Sequence, residues 1–381
     1  MNNRRALITL YVAGFAGNIS FSLLFPVLPY YAEAMGASPS QVGLILASYS
    51  YITATTLIPF GMLSDRVGHH KILVASLVIF TLAPLLYPLA SNLNQLGLIR
   101  AFHGIASAMF LPTANSLVVA SASSERWGEA LGWFTTSTQF ALVVGLALGG
   151  LLLNHYGFKA TFYICSIAPL LGLIFILFRL TTIQPAGEVI SDGSWKWLKQ
   201  PGTFAGLTAP LFFTMGSGTI LTFMPLYSQG LGIDETRAGI VIAAVYVGSA
   251  LLRAPGGKLS DKIGRIPVIL LGLVMSGATI ILISFANSFA SLIAAAAFYG
   301  VGMGMAMPAS YALVADLTPP EVRGLTMGVT SSFLHGGLAL GPTIMGIVAS
   351  MSNYAIMFRS CSLSLFLGAI VVFSLTRCQH R

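Results

Sequence analysis

Residues 61–72 read GMLSDRVGHHKI, and residues 257–268 read GKLSDKIGRIPV. Both stretches set Gly, Leu, Ser and Asp in the same order, follow the Asp with a cation and then place a second Gly. Only 8% of the chain is charged, so writing such a loop twice is not a product of composition. The two aspartates stand 261 − 65 = 196 residues apart. That one offset, applied without a gap, carries Pro29 to Pro225, Tyr31 to Tyr227, Gly43 to Gly239 and Gly104 to Gly300. It carries Pro112 to Pro308, Gly145 to Gly341, Gly150 to Gly346 and Phe162 to Phe358. The chain reads as two homologous halves, 1–180 and 203–381, joined by a polar linker at 181–202 that holds Trp195 and Trp197.

The residues between the loops set the class. The chain is 56% hydrophobic with a mean hydropathy of +0.84. A soluble domain carries about 25% charged residues; here too little polar surface exists to cover a globule in water. Residues 71–90, KILVASLVIFTLAPLLYPLA, carry no charge after Lys71, and residues 267–286, PVILLGLVMSGATIILISFA, carry none. A helix needs roughly 20 such residues to cross a bilayer. Twelve candidate spans lie near 7–31, 41–60, 71–90, 96–117, 130–153, 159–178, 203–228, 238–256, 267–286, 291–314, 325–349 and 354–376. The expected fold is an all-α membrane protein of twelve transmembrane helices in two pseudo-symmetric six-helix bundles. The apolar run after MNNRRALITL continues too far for a cleaved leader and reads as a permanent first span.

Net charge is +8, but its placement speaks of topology and not of nucleic acid. With the N-terminus in the cytoplasm, Arg4, Arg5, Arg66, Lys71, Arg126, Arg253, Lys258, Lys262, Arg265 and Arg323 all fall at cytoplasmic ends or loops. That is the positive-inside bias, and it predicts that both termini lie in the cytoplasm. Cys165, Cys361 and Cys378 have no metal spacing and read as packing residues. No phosphate-binding loop, catalytic constellation, metal site or cofactor motif is present, so ATP is not the energy source and the chain is not read as an enzyme.

Two six-span halves with a charged loop after the second span of each resemble the major facilitator superfamily. The family's loop runs G-x-L-[SA]-D-[RK]-x-G-[RK]; here Gly61, Asp65, Arg66 and Gly68 stand in the first copy, and Gly257, Asp261, Gly264 and Arg265 in the second. Arg100 through Gly104 is similar to an R-x-x-x-G motif of the fourth span, and Pro26 through Tyr31 resembles a P-x-x-P-Y element of twelve-span drug:proton antiporters. The antiporter signature G-P-x-x-G-G is incomplete: Leu146 follows Gly145, ahead of Gly149 and Gly150, while Pro342 follows Gly341, ahead of Gly346. Small residues at this spacing let helices pack closely.

The resemblance implies that the halves rock about a central cavity and that the loops latch the cytoplasmic side. Asp65 would then meet the N-terminus of span eleven near Arg323, with Arg126 as a further partner, and Asp261 would meet span five. Gly61 and Gly257 are expected at close backbone approaches, and Gly68 and Gly264 at turns. His69 and His70, where the family prefers a cation after Gly68, read as exposed loop histidines.

Ionisable groups within spans are costly and mark sites. No acidic residue falls at mid-membrane, whereas the antiporter resemblance implies a buried carboxylate. What remains is basic or polar: Arg100 and His103 on one helix face, His335 in span eleven, and Asn18, Asn115 and Gln139. These are the expected substrate contacts, and a neutral buried histidine could also carry the coupling proton. The leading reading is a monomeric secondary transporter that exports a small organic molecule on the proton gradient. The alternatives are an exporter or exchanger of an anionic metabolite, such as a carboxylate or siderophore, and a transporter-like receptor or scaffold without flux.

Overall fold

The computed structural model describes residues 4–123, 126–179, 198, 200–319 and 323–379, with the side chains of 323, 324, 378 and 379 left out. Trp195, Trp197, Glu125, Glu321 and the side chains of Arg323 and Cys378 lie outside the described residues. Within them every regular element is a helix: α1 (Arg4–Leu24), α2 (Leu28–Ala34), α3 (Pro39–Val67), α4 (His69–Leu86), α5 (Leu93–Ser121), α6 (Trp127–Arg179), α7 (Pro201–Gly230), α8 (Glu235–Ile263), α9 (Arg265–Ile283), α10 (Phe289–Asp316), α11 (Arg323–Met351) and α12 (Tyr354–Gln379), with a 3-10 turn at Tyr87–Leu89. Eleven helical segments of the described chain are long and apolar enough to cross a membrane, α1 and α2 together forming one of them. The longest, α6, has 53 residues and is two helices joined at Gly157, whose φ of 71° breaks the run. Large apolar side chains such as Leu171, Leu177, Phe178, Leu363, Leu367 and Ile370 stay exposed along α6 and α12. A solvent-facing bundle would hide them; a bilayer stabilises them.

The 196-residue offset governs the contacts as well as the letters. Helices α8, α9, α10 and α11 open at residues 235, 265, 289 and 323, each 196 after α3, α4, α5 and α6. Tyr31 donates its hydroxyl to Tyr87 O at 3.3 Å, and Tyr227 donates to Ile283 O at 3.3 Å. The ring of Tyr31 meets Phe162 edge-on at 5.0 Å, and Tyr227 meets Phe358 at 5.3 Å. Asn92 caps α5 and Ser288 caps α10 at the same relative position. Asp234 caps α8 by accepting from Arg237 N at 2.8 Å, and its counterpart Ser38 has its own N–H bound by Gln41 Oε1 at 2.9 Å. Gly68 and Gly264 turn the chain with φ of 105° and 94°, a backbone that L side chains avoid.

One break in the symmetry has a plain cause. The first span is split around Phe25–Val27 into α1 and α2, but α7 runs through Pro225 unbroken. Pro29 and Pro225 correspond; Pro26 has only Thr222 as its counterpart. One proline can be absorbed as a kink, whereas two within four residues remove two helix donors and end the helix.

The bundle has two chemically different ends. The charged end carries the Gly68 and Gly264 turns; the capped end carries Ser38, Asn92, Asp234 and Ser288. At the capped end the two halves of the chain touch backbone to backbone. A Cβ on Gly43 would collide with Pro342 O, one on Gly150 with Glu235 O, and one on Gly239 with Leu146 O. Tyr30 donates to Pro225 O at 2.8 Å, and Ser40 N–H donates to Ser350 Oγ at 2.9 Å. The glycine ladders divide their work identically in both copies. Gly145 and Gly341 lie against α1 and α7 of their own halves, while Gly150 and Gly346 lie against α8 and α3 of the opposite ones.

Candidate substrate site

The six polar residues singled out from the sequence do not form one cluster. Arg100 and His103 share a face of α5, as their spacing requires, and both are fully buried. The Arg100 guanidinium lies over Tyr49 at 4.6 Å, Phe25 at 5.3 Å and Phe21 at 5.6 Å. Its Nε, Nη1 and Nη2 make no well-aligned hydrogen bond, although the Tyr87 hydroxyl lies close enough to interact with the guanidinium. His103 Nδ1 meets the Tyr87 hydroxyl at 3.2 Å, its ring stands edge-on to Tyr49 and Phe80, and its Nε2 is unpaired. Cation–π contacts supply about 0.5–2 kcal/mol each, and each unmade bond of a buried charged donor costs more than about 1–3 kcal/mol. Arg100 is therefore held in a closed aromatic box that leaves its charge unneutralised.

Gln139 and His335 stand at a different level. They are repeat counterparts, each 12 residues into its helix from the charged end, or about 18 Å at 1.5 Å per residue. His335 is buried, and its Nδ1–H donates to Ser331 O at 2.9 Å. Asn18 is half-buried and spends its Nδ2–H on Gly14 O at 2.9 Å, and Asn115 is exposed. With its carboxamide in the orientation that satisfies both groups, Gln139 Oε1 accepts from Arg253 Nη2 at 2.9 Å and Nη1 at 3.0 Å.

Arg253 corrects the sequence reading. It was expected at a cytoplasmic helix end, yet it lies ten residues inside α8, from Ile263, and its Nε is buried and unpaired. Tyr246 of α8 and Tyr311 of α10 are close enough to interact with it electrostatically. A cation near the end of an apolar block looks like a positive-inside anchor. The signal against that was its repeat partner, the buried apolar Leu57: a topology-setting loop cation has no reason to align with a core leucine.

The charged loops are satisfied within their own halves. Asp65 Oδ1 lies 3.2 Å from His69 Nε2, and Asp261 pairs with Arg265, four residues on in each copy. Arg265 also reaches Asp316 at 3.2 Å. Arg126, expected beside Asp65, binds Glu129 at 2.8 and 3.0 Å instead, and Arg66 is exposed. His69 was expected in solvent; it is buried because its ring takes the place of Arg265 beside the aspartate. A Cβ on Gly61 would meet only the Pro112 ring, at an ordinary 3.6 Å, and nothing lies within 4 Å of one on Gly257; the close backbone approach falls to Gly256 against Met305. The helical turn rotates about 100° per residue, so a one-residue misjudgement exchanges a packed face for an open one.

Every described acidic residue sits at or near a helix end: Glu33, Asp65, Glu129, Asp234, Glu235, Asp261 and Asp316. Two of them, Glu33 and Glu235, line a cavity of about 420 Å³ at the capped end with Tyr30, Asn154 and Gln229. No cluster of metal ligands occurs among the described residues.

A family model for the Major Facilitator Superfamily matches residues 10–234 and again 206–380. An uncharacterized MFS-type transporter of Methanocaldococcus jannaschii is 26% identical, with 96% of each chain covered. Multidrug resistance protein MdtG of Serratia proteamaculans is 27% identical, covering 97% of this chain and 93% of its own. Among solved structures, a bacterial homolog to the human lysosomal transporter Spinster, in an inward-facing and occupied conformation, superposes with a TM-score of 0.85 at 18% identity, over 97% of this chain and 96% of that one. These relatives are transporters and not enzymes.

Proposed function

We propose that this chain, which belongs to the Major Facilitator Superfamily, exports a small organic molecule by alternating access, driven by the proton gradient across the inner membrane. It is a multi-pass membrane transporter. In this reading it has twelve spans in two six-helix bundles, 1–180 and 203–381, with 181–202 as a cytoplasmic linker. The segments α1 and α2 make one span and α6 makes two. Both termini are cytoplasmic, and the working unit is a monomer.

The observation that carries alternating access is the inequality of the two ends. The capped end is sealed by glycine-permitted backbone contact between halves. At the charged end, Asp65, Asp261 and Arg126 each bind a neighbour in their own half. We read this inequality as that of a transporter open to the cytoplasm along its α6–α8 side. In the opposite state Asp65 and Asp261 exchange these partners for the helix N-termini of the other half, where a carboxylate gains about 0.3–2 kcal/mol. Export is supported by the likeness to multidrug resistance proteins along the whole chain. With every described carboxylate near a helix end, His103 or His335 carries the coupling proton.

A disulfide lock tests the mechanism. Ser40→Cys with Ser350→Cys places two thiols across the sealed end. Oxidation should abolish flux in proteoliposomes, and reductant should restore it; unchanged flux in the oxidised protein would refute rocking. An imposed pH gradient tests the coupling, since flux indifferent to it removes the proton. No flux of any candidate favours the receptor or scaffold reading. An anionic cargo is the second reading, favoured by the buried Arg100 and the half-buried Arg253 beside no described interior acid.

A further inference from the structure

We infer that Arg253, together with Gln139, is the site that recognises the cargo, and that it takes an anionic acceptor group, a carboxylate or a phosphate, on an amphipathic organic molecule. The inference deepens the export reading, on which it rests, by naming the chemistry of what is carried.

Three observations converge on this pair. The first is donor arithmetic. A guanidinium has five N–H donors and no acceptor. Gln139 Oε1 engages one from each Nη, and Nε is buried with no partner. Arg253 is half-buried, and a buried Nε–H left without an acceptor is unfavourable, so this state lacks an acceptor that the site is built to hold. Carboxylates and phosphates match the guanidinium fork with two parallel charge-assisted bonds, roughly twice as strong as those from a neutral amide. Such a group can complete or displace the Gln139 bonds; a cation or an apolar head cannot.

The second observation is position. The contacts between α6 and α8 run from Gly150 and Glu235 at the capped end to Gln139 and Arg253. Beyond that pair, a Cβ on Gly132 or Gly128 of α6 would meet nothing within 4 Å. Among the described residues the pair bridges this seam just short of that open space, where a molecule entering from the charged end meets both. Arg100, by contrast, is sealed in its aromatic box at zero exposure, and a ligand would have to dismantle that box to reach it.

The third is asymmetry within the repeat. Residues that serve the scaffold recur at the 196-residue offset, as the glycines, caps and tyrosine hydrogen bonds do. Arg253 does not recur; Leu57 is its counterpart, and Gln139 is matched by His335. A half-buried cation inside a helix, kept in only one copy, serves something the scaffold does not need. Tyr246 and Tyr311, both close to Arg253, have Ser50 and Asn115 as counterparts. They supply aromatic surface for the body of the molecule on the same side only.

The test is equilibrium binding to the purified full-length protein in phosphatidylcholine nanodiscs, with no gradient imposed. Four probes share one apolar body: 2-naphthoate, 2-naphthyl phosphate, 2-naphthamide and 2-naphthylmethylammonium. The wild type should prefer the two anions. Arg253→Gln should weaken anion binding by about tenfold or more, as loss of a charge-assisted fork predicts. Arg253→Lys, which keeps the charge without the fork, should fall between, and Gln139→Ala should change affinity less than either. Thermal melting of each variant separates lost binding from lost folding. A wild type with no preference for the anions overturns the inference, and so does unchanged anion affinity in a folded Arg253→Gln protein. Loss of 2-naphthoate binding only in nanodiscs containing phosphatidylglycerol keeps the site and assigns it to a lipid head group. Failure of gradient-driven flux in wild-type proteoliposomes would remove the export reading while leaving these binding results standing.

Discussion

Two seams join the halves of this molecule, α3 against α11 and α6 against α8, and the internal repeat makes them counterparts. At the capped end they are alike. Gly43 lies against Pro342 O and Gly239 against Leu146 O; Gly346 lies against Pro39 O and Gly150 against Glu235 O. Toward the charged end they part company. The α3–α11 seam stays closed and apolar, with Ile58 near Gly328 and packed on Val329, Val314 and Leu207. The α6–α8 seam ends at a polar bridge, Gln139 to Arg253, and then opens. Duplication supplied the scaffold twice; the chemistry was placed in one seam. A hinge needs some contact that persists and some that releases, and here the two requirements fall to different sides of the bundle.

The largest effects belong to the shared part. Gly43→Ala and Gly150→Ala each drive a Cβ into a backbone oxygen of the opposite half. Backbone cannot step aside as a side chain can, and overpacking of this kind costs about 1–3 kcal/mol or more. Both variants should melt at lower temperature and lose most flux in proteoliposomes. Gly132→Ala and Gly328→Ala, at the charged end of the same seams, should be tolerated, since nothing lies closer than 3.8 Å to the added methyl. A seam in which the capped-end substitution proved harmless would break the claim that both close the same way.

Arg100 offers the next effect, with two readouts of opposite sign. Its guanidinium is fully buried, ringed by aromatic groups and without a well-aligned or charged acceptor. Replacing an uncompensated buried ion by an apolar side chain of similar length is often neutral or stabilising, by about 1–4 kcal/mol. Arg100→Met should raise the melting temperature. If flux falls while stability rises, the box holds strain for use in the transport cycle. If both hold, Arg100 is a relic of packing, and Arg253 stands alone as the interior cation that matters.

Much of this was legible before any coordinate. The offset of 196 residues, the helices and their apolar surfaces follow from glycine, proline and charge, because those residues act through the backbone and through solvation. Gly68 and Gly264 do turn the chain, and the glycine ladders do lie at helix crossings. What the letters concealed were orientations. Gly257 and Gly256 are neighbours in sequence but point to different faces, and only Gly256 meets Met305. Arg253 looked like a loop cation because its distance from the helix end was judged from hydropathy, and α8 runs on to Ile263 through Lys258 and Lys262. His69 looked exposed because a histidine's burial depends on whether a partner faces it, and Asp65 does so from the preceding turn.

The smallest effects on stability should come from the doubled loops, and they are informative for that reason. Asp65 and Asp261 are 47% and 63% exposed. Ion pairs so open to water contribute about 0–1 kcal/mol, so Asp65→Asn and Asp261→Asn should barely move the melting temperature. A residue with a purely local role would then barely move flux either. If the two carboxylates change partners as the halves rock, each substitution removes an interaction present in one state only, and flux falls sharply with the fold intact. Double substitution sharpens the point. Equal, additive losses mean that both loops latch the same transition from opposite sides. A dominant effect of Asp65 places the latch at the α3–α11 seam and makes the Asp261 loop, held by Arg265 and through it Asp316, a fixed strut.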